Sequence, residues 1–300
     1  MSSQTIIRAY LEAPMLKSAR EGSFNFLNVL KSAVESTGWR LEWHLTGPDA
    51  RAEAPELDGY ALFHAEAPTH DRALTFRRAY HYPFWQIETV QQRWRFDVAR
   101  SDFDPASIDP DQAREFADRL RERVLPGPPP RKDGSVLVPL QGELRRCRSF
   151  QTMSPVDMLE VVAATGERII ATLHPDASFD IGDMDALQPL LRKYPNLKFA
   201  PKSQPVLRDC SLVATQNSAV AFDGYLLGKP AVLFAQIDFH HIGLNVAELG
   251  HARAIELAKT HNPDFDRYIY WFLEEKAINA TLPDAETRIL AAMRRGGWPI

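Results

Sequence analysis

Between Ser135 and Ala235 the chain alternates short apolar runs with helix-forming stretches, and this alternation restricts its fold more than any other feature. Ser135 to Leu140 (SVLVPL) has the continuous apolar character of a strand buried on both faces. Ser154-Pro155-Val156-Asp157 reads as a helix start, with Ser154 as N-cap, proline in the first turn and an acid at the third position; Gly166 ends it. Arg168 to Leu173 is a second buried strand. Asp185 to Tyr194 is a helix halted by Pro195, and Leu197 to Ala200 a short strand. Leu212 to Thr215 is a further strand, Ala219 to Leu227 a helix ended by Gly228, and Ala231 to Ala235 another strand. Helical patterns fill much of 245–295. Parallel neighbours need a crossover long enough to hold a helix, so this order implies a parallel, doubly wound sheet.

The run Leu125-Pro-Gly-Pro-Pro-Pro-Arg-Lys-Asp-Gly134 can neither continue a helix nor sit inside a sheet. It reads as a linker over 126–134, with an α/β domain at 1–125 before it and the alternating domain at 135–300 after it. The first half is less legible. Thr5 to Tyr10, Arg40 to His44 and Tyr60 to His64 have strand character, and Phe24 to Glu35 and Asp111 to Val124 helical character. With 300 residues, 45% of them hydrophobic, the chain can bury its cores without disulfides or a structural metal. A net charge of -4 gives no reason to expect nucleic acid. The two cysteines, Cys147 and Cys210, are far apart and are expected to be free thiols in a reducing compartment. No apolar run near the N-terminus suits a signal peptide or a spanning helix, so a cytoplasmic protein is expected.

Ligands of open parallel sheets bind beyond the carboxyl ends of the strands. In the second half three polar clusters fall there: Gln141-Gly142-Glu143, His174-Pro175 and Gln216-Asn217-Ser218. Asn217 and Ser218 open a helix, where free N–H groups and the helix dipole favour a phosphate; the alternative is an ordinary N-cap. His174 can donate to a phosphate oxygen or be a structural histidine. Arg145, Arg146 and Arg148 follow Gln141 and can face anions or solvent. Gly228-Lys229-Pro230 is not a phosphate loop: Gly224 is one residue too close, and proline replaces the required hydroxyl, leaving Lys229 to face solvent. The absence of G-x-G-x-x-G leaves no case for a nicotinamide cofactor, and no cofactor is expected. Asp102-Phe103-Asp104 and Asp264-Phe265-Asp266 are D-x-D pairs of the kind that can hold a divalent metal, at a high chance rate. His240 and His241, in an extended loop, are expected to point apart, with one reaching the ligand rim.

The segments Val136–Gln141, Leu173-His174-Pro175 and Gln216-Asn-Ser-Ala-Val-Ala-Phe-Asp-Gly-Tyr-Leu-Leu-Gly-Lys-Pro230 resemble the capsule polysaccharide biosynthesis family, which includes bacterial transferases of Kdo from CMP-Kdo. The resemblance covers roughly 135–245. It implies a GT-B architecture, two Rossmann-like halves with parallel sheets facing a cleft, with the nucleotide held by the C-terminal half. His174 would contact the donor phosphate, and Asn217 with Ser218 would cap it. Gln141, Pro175 and His241 would complete the donor side, and Asp223 stands where the family more usually has a glutamate that binds ribose or base. Relatives carry aspartates soon after the glutamine; here only Glu143 is acidic.

The expectation is therefore a glycosyltransferase, inverting and independent of metal, acting in capsule or surface polysaccharide synthesis. It would take a nucleotide-sugar donor and a saccharide or glycolipid acceptor, with possible peripheral contact at the inner membrane. A base removes the proton of the acceptor hydroxyl, and the candidates are Glu143, His81 and Glu88. The segment His81 to Glu88 reads as a sugar-facing loop or as the entry to a buried strand. The rival functions are a non-catalytic nucleotide or sugar binder, a UDP- or GDP-sugar enzyme, a metal-dependent enzyme using a D-x-D pair, and a hydrolase or epimerase.

Overall fold

In the computed structural model, which describes residues 4–300, the strands gather into two six-stranded sheets. The first contains β1 (Ile6–Leu11), β2 (Arg40–Leu45), β3 (Tyr60–His64), β4 (Ala73–Arg78), β5 (Phe84–Glu88) and, from the far end of the chain, β12 (Ile278–Asn279). Their order is β12-β5-β4-β3-β1-β2. β1 to β4 are parallel, β5 runs antiparallel to β4, and β12 antiparallel to β5. The second contains β6 (Ser135–Pro139), β7 (Arg168–Thr172), β8 (Leu197–Phe199), β9 (Leu212–Thr215), β10 (Ala231–Leu233) and β11 (Leu244–Asn245). It is parallel throughout, in the order β11-β10-β9-β6-β7-β8.

The first sheet belongs to a unit made of residues up to Ser101 together with Trp271–Ile300. Its helices are α1 (Ala13–Glu21), α2 (Asn25–Ser36), α3 (Pro48–Glu53), α4 (Asp97–Arg100) and α13 (Ala285–Arg295). The apolar stripe of α2, at Phe26, Leu27, Leu30, Ala33 and Val34, has helical spacing and is fully buried. Phe26 stacks on Trp85 at 4.3 Å between ring centroids. Each such side chain contributes about 1.5–3 kcal/mol of burial, and α13 adds Ile289 and Met293 to the same core. Gly59, just before β3, has φ 91°, and a Cβ there would lie 2.4 Å from the carbonyl oxygen of Ile6. Only glycine lets β3 approach β1 at that point.

The second unit is Asp102–Tyr270. Its helices are α5 (Pro110–Val124), α6 (Pro155–Ala163), α7 (Ile181–Lys193), α8 (Ser203–Asp209), α9 (Ala219–Leu226), α10 (Val246–Leu249), α11 (His251–Ala258) and α12 (Phe265–Tyr270). Ser154 caps α6 as its sequence indicates, its hydroxyl accepting from the Asp157 amide at 3.2 Å. Helix α7 begins four residues before Asp185, because Asp180 and Asp183 form a capping box.

The unit boundaries differ from the division expected at 126–134. Helix α5 belongs to the second unit: Arg121 donates to the Leu226 carbonyl and pairs with Asp266 at 3.3 Å, and Phe116 meets Tyr270 edge to face. The proline-rich run is a strap on that unit rather than a linker between domains. Prolines offer carbonyls without amides, so such a run must find donors elsewhere. Arg208 supplies them, its guanidinium donating to the carbonyls of Leu125 (2.7 Å), Pro126 (3.1 Å) and Pro128. The amides of Arg131 and Asp133 donate to the carbonyls of Arg208 and Asp209, each at 2.9 Å. Lys229, expected to face solvent, is 1% exposed, and its ammonium donates to the Arg131 carbonyl. The last thirty residues, expected to extend the second domain, instead close the first sheet through β12 and its core through α13.

Candidate functional site

The second sheet changes direction at β6: β7 and β8 lie on one side of it, β9, β10 and β11 on the other. The crevice for a ligand therefore opens beyond the carboxyl ends of β6 and β9. The loop after β6 carries Gln141 to Met153, and the turn after β9 carries Gln216, Asn217 and Ser218. Hydrogen bonds join the two: Thr215 Oγ1 donates to the Pro139 carbonyl at 2.9 Å, and Gln216 Nε2 to the Met153 carbonyl at 3.0 Å. The loop after β7, with His174 and Pro175, borders it, since a Cβ on Gly142 would touch Ala177 Cβ at 3.2 Å. The three clusters expected at strand ends thus lie along one rim.

Helix α9 points its amino terminus at this rim. Ser218 is its N-cap, accepting from the Val220 amide at 3.3 Å. Among the described residues the amides of Asn217, Ser218 and Ala219 have no partner, and the Asn217 side chain makes no hydrogen bond. His174 is half-buried, and its Nδ1 accepts from the Asp176 amide at 3.2 Å. In the neutral ring this puts the proton on Nε2 and makes Nε2–H the donor available to a ligand. Asp223 is half-buried in the second turn of α9.

Several polar atoms buried at the crevice have no partner among the described residues: Gln216 Oε1, Gln151 Nε2 and Arg148 Nη2. Gln216 is fully buried and Gln151 is 9% exposed. A lone buried amide atom costs about 1–3 kcal/mol, a cost that a bound polar group or water would remove. Gln151 carried no signal in the sequence, and Gln216 showed only its place before Asn217. The structure separates the three arginines of this loop. Arg145 is tied to Asp180 and Asp183, Arg146 pairs with Glu143 on the surface, and Arg148 alone turns inward, over the Phe150 ring.

The proposed bases are scattered. Glu143 is exposed, adopts φ 57°, and pairs with Arg146 at 3.4 Å and Arg148 at 3.8 Å. Glu88 ends β5, buried, and accepts from the Asp97 amide at 3.1 Å; burial pushes its carboxyl up to about 7. His81 lies before the start of β5, so roughly 13 Å of strand, at about 3.3 Å per residue, separates it from Glu88. The segment 81–88 is thus largely a buried strand and not a sugar-facing loop. His240 and His241, expected to point apart, stack their rings at 4.3 Å because their loop turns rather than extends, and His241 Nδ1 lies 3.0 Å from the Tyr268 hydroxyl.

Three of the four D-x-D aspartates serve local structure. Asp104 accepts from the Ala106 amide, Asp264 from the Arg267 amide, and Asp266 pairs with Arg121. Among the described residues no group of three or more histidines, cysteines or acids is placed to hold a metal. A cavity of about 580 Å³ opens at the other end of α9, lined by Arg121, Tyr225, Asn262, Asp264 and Asp266. It touches none of the rim residues. Among the described residues no helix is long and apolar enough to cross a membrane.

No family model matches the chain, and no curated protein matches it in sequence. Solved structures do resemble it. The β-Kdo 2,7-transferase of Thermosulfurimonas dismutans KpsC aligns over 97% of this chain and 99% of its own, with TM-score 0.52 and 13% identity. The β-Kdo 2,4-transferase of the same protein aligns over 89% and 90%, with TM-score 0.46 and 13% identity. At such identity the likeness is one of fold: two Rossmann-like α/β units of the GT-B kind.

Proposed function

We propose that the chain is a glycosyltransferase that takes its sugar from a nucleotide-activated donor of the CMP-Kdo kind and builds capsule or another surface polysaccharide. The transfer is inverting and needs no metal. The reading rests on the crevice beyond β6 and β9, where the open amides of α9, the Asn217 side chain and the Nε2–H of His174 offer hydrogen-bond donors and no carboxylate is committed to them. Such donors suit a phosphate, and they hold it more strongly as it leaves with the full negative charge. Gln141, Pro175, Asp223 and His241 complete the donor side, and the acceptor is a saccharide or glycolipid. The protein works in the cytoplasm, at the inner membrane surface where such polymers are assembled.

A thermal-shift series with CMP, CDP, UDP and GDP tests the site. A ligand that binds only the native state stabilises it by about 2.7 kcal/mol at one hundred times its Kd. CMP is expected to raise the melting temperature where UDP and GDP do not, and His174→Ala to abolish most of that rise while leaving the ligand-free melting temperature nearly unchanged. A UDP or GDP preference would move the donor away from the CMP-sugars, and silence toward all four nucleotides would remove the site. One observation favours a non-catalytic binder: Glu143, the lone acid of the loop after Gln141, is held in ion pairs with Arg146 and Arg148. That reading predicts CMP binding with no release of CMP from CMP-Kdo.

A further inference from the structure

A cavity of about 220 Å³ lies wholly within the second unit, at the end of its sheet away from the rim. Its walls are Val136 and Leu212 at the amino ends of β6 and β9, Pro230 just before β10, and Ile255 and Ala258 of α11. All five residues are buried. Protein interiors rarely leave voids much larger than a water molecule. An apolar void stays dry and accepts an apolar guest; one of about 150 Å³ holds benzene. By the same scale this cavity has room for about nine non-hydrogen atoms.

The open end of the cavity is polar and charged. Lys259, which follows α11, pairs with Glu256 at 2.9 Å and with Glu167, just before β7, at 3.1 Å. Its charge is thereby spent on two carboxylates. Lys132 is brought to the cavity by the proline-rich strap. The strap holds it there, since the amides of Arg131 and Asp133 on either side of it donate to the carbonyls of Arg208 and Asp209, each at 2.9 Å. Among the described residues the Lys132 ammonium has neither a carboxylate nor a hydrogen bond. Ser211 adds a hydroxyl: its Oγ accepts from the Gly134 amide at 2.9 Å, which leaves its own proton to donate.

We propose that this cavity binds a small aliphatic carboxylate of about the size of hexanoate, with its chain between the sheet and α11 and its head on the Lys132 ammonium and the Ser211 hydroxyl. One uncommitted cation and one hydroxyl donor suit a monoanion. The buried walls suit an unbranched or branched hydrocarbon chain, and the volume excludes a long one. An aliphatic amine of the same length would bring a second positive charge to Lys132. The site does not rest on the transferase reading. Roughly 13 Å of β6, at about 3.3 Å per residue, separates it from the rim, so its occupant and a nucleotide at the rim do not touch.

Isothermal titration of the full chain with acetate, butyrate, hexanoate, decanoate, hexan-1-ol and hexylamine tests the proposal. Each methylene buried multiplies affinity by about fourfold, so hexanoate should bind about 200-fold more tightly than acetate. The gain should stop before decanoate, which outgrows the cavity. Hexan-1-ol should bind about tenfold more weakly than hexanoate, and Lys132→Gln should weaken hexanoate by about tenfold while leaving hexan-1-ol unchanged. Ala258→Leu, which fills the cavity, should abolish binding of both. If that variant fails to fold, Lys132→Gln, on the exposed strap, and the chain-length series still decide. No heat with hexanoate, affinity that does not depend on chain length or keeps rising through decanoate, hexylamine binding as tightly as hexanoate, or Lys132→Gln within twofold of wild type would each overturn the proposal.

Discussion

Glu88 should make the first unit less stable as the pH rises, and its replacement by glutamine should remove that loss. The carboxyl is 8% exposed and accepts one hydrogen bond, from the Asp97 amide. Burial raises its pKa from 4.5 to about 7, against the opposing pull of that amide, Arg295 and Arg100. An acid that holds its proton more tightly when folded contributes stability that is fully present below pH 4.5 and lost as pH climbs through 7. At about 1.4 kcal/mol for each tenfold change in proton affinity, the loss is about 3 kcal/mol. Glu88→Gln keeps the volume and an oxygen for the Asp97 amide but cannot ionise. Near pH 8.5 the variant should be more stable than wild type by up to about 3 kcal/mol, and near pH 4.5 the two should converge. All six tryptophans lie at positions 39, 43, 85, 94, 271 and 298, within the first unit, so urea unfolding followed by their fluorescence reads that unit alone. A difference that stays constant between the two pH values, or a variant less stable at pH 8.5, would refute the reasoning.

Ser218→Ala should cost about 1 kcal/mol as a lost N-cap and also raise the donor KM; a change in melting temperature without a change in KM would leave Ser218 a cap and nothing more. Arg208→Ala strips the strap of its donors for three carbonyls, at about 1–3 kcal/mol, and should open the chain to trypsin at Arg131 and Lys132; equal cleavage rates in the two proteins would show that the strap holds itself. A disulfide-exchange reagent should titrate one thiol in the native protein and two after denaturation. Cys147 is exposed, whereas Cys210 is buried with its thiol pushed up to about 12; two fast thiols in the native state would contradict that burial.

The second sheet was legible because its central strands β6, β9 and β10 are buried on both faces and its helices announce their ends. Ser154, Gly166, Pro195 and Gly228 each mark a boundary that the structure keeps to within a few residues. The first sheet was half hidden. β4 and β5 carry Thr75, Arg77, Gln86 and Glu88 between their apolar residues, and neither periodicity nor composition separates such segments from loops. The proline-rich run misled for a different reason. Its sequence shows that it cannot join a helix or a sheet, but not that Arg208, far along the chain, would fasten it down. The same long-range pairing sent β12 to β5, and a two-residue strand leaves no local pattern to read.

For the candidate site, the question is which hydrogen-bonding groups remain after the fold has used its own. The sequence allows Ser218 as an N-cap or a phosphate contact; its Oγ accepts from the Val220 amide, which makes it a cap and leaves its own O–H proton able to donate. That cap does not close the helix end. It engages one amide and, among the described residues, leaves those of Asn217, Ser218 and Ala219 open, so donors for a ligand stand in the backbone around the serine as well as in its hydroxyl. His174 follows the same logic: the Asp176 amide takes Nδ1 and thereby commits Nε2–H outward. A ligand contact through the backbone survives most side-chain substitutions, whereas a contact through Nε2 does not. His174→Ala should therefore weaken CMP binding more than Ser218→Ala does, and the reverse order would place the phosphate on the serine hydroxyl after all.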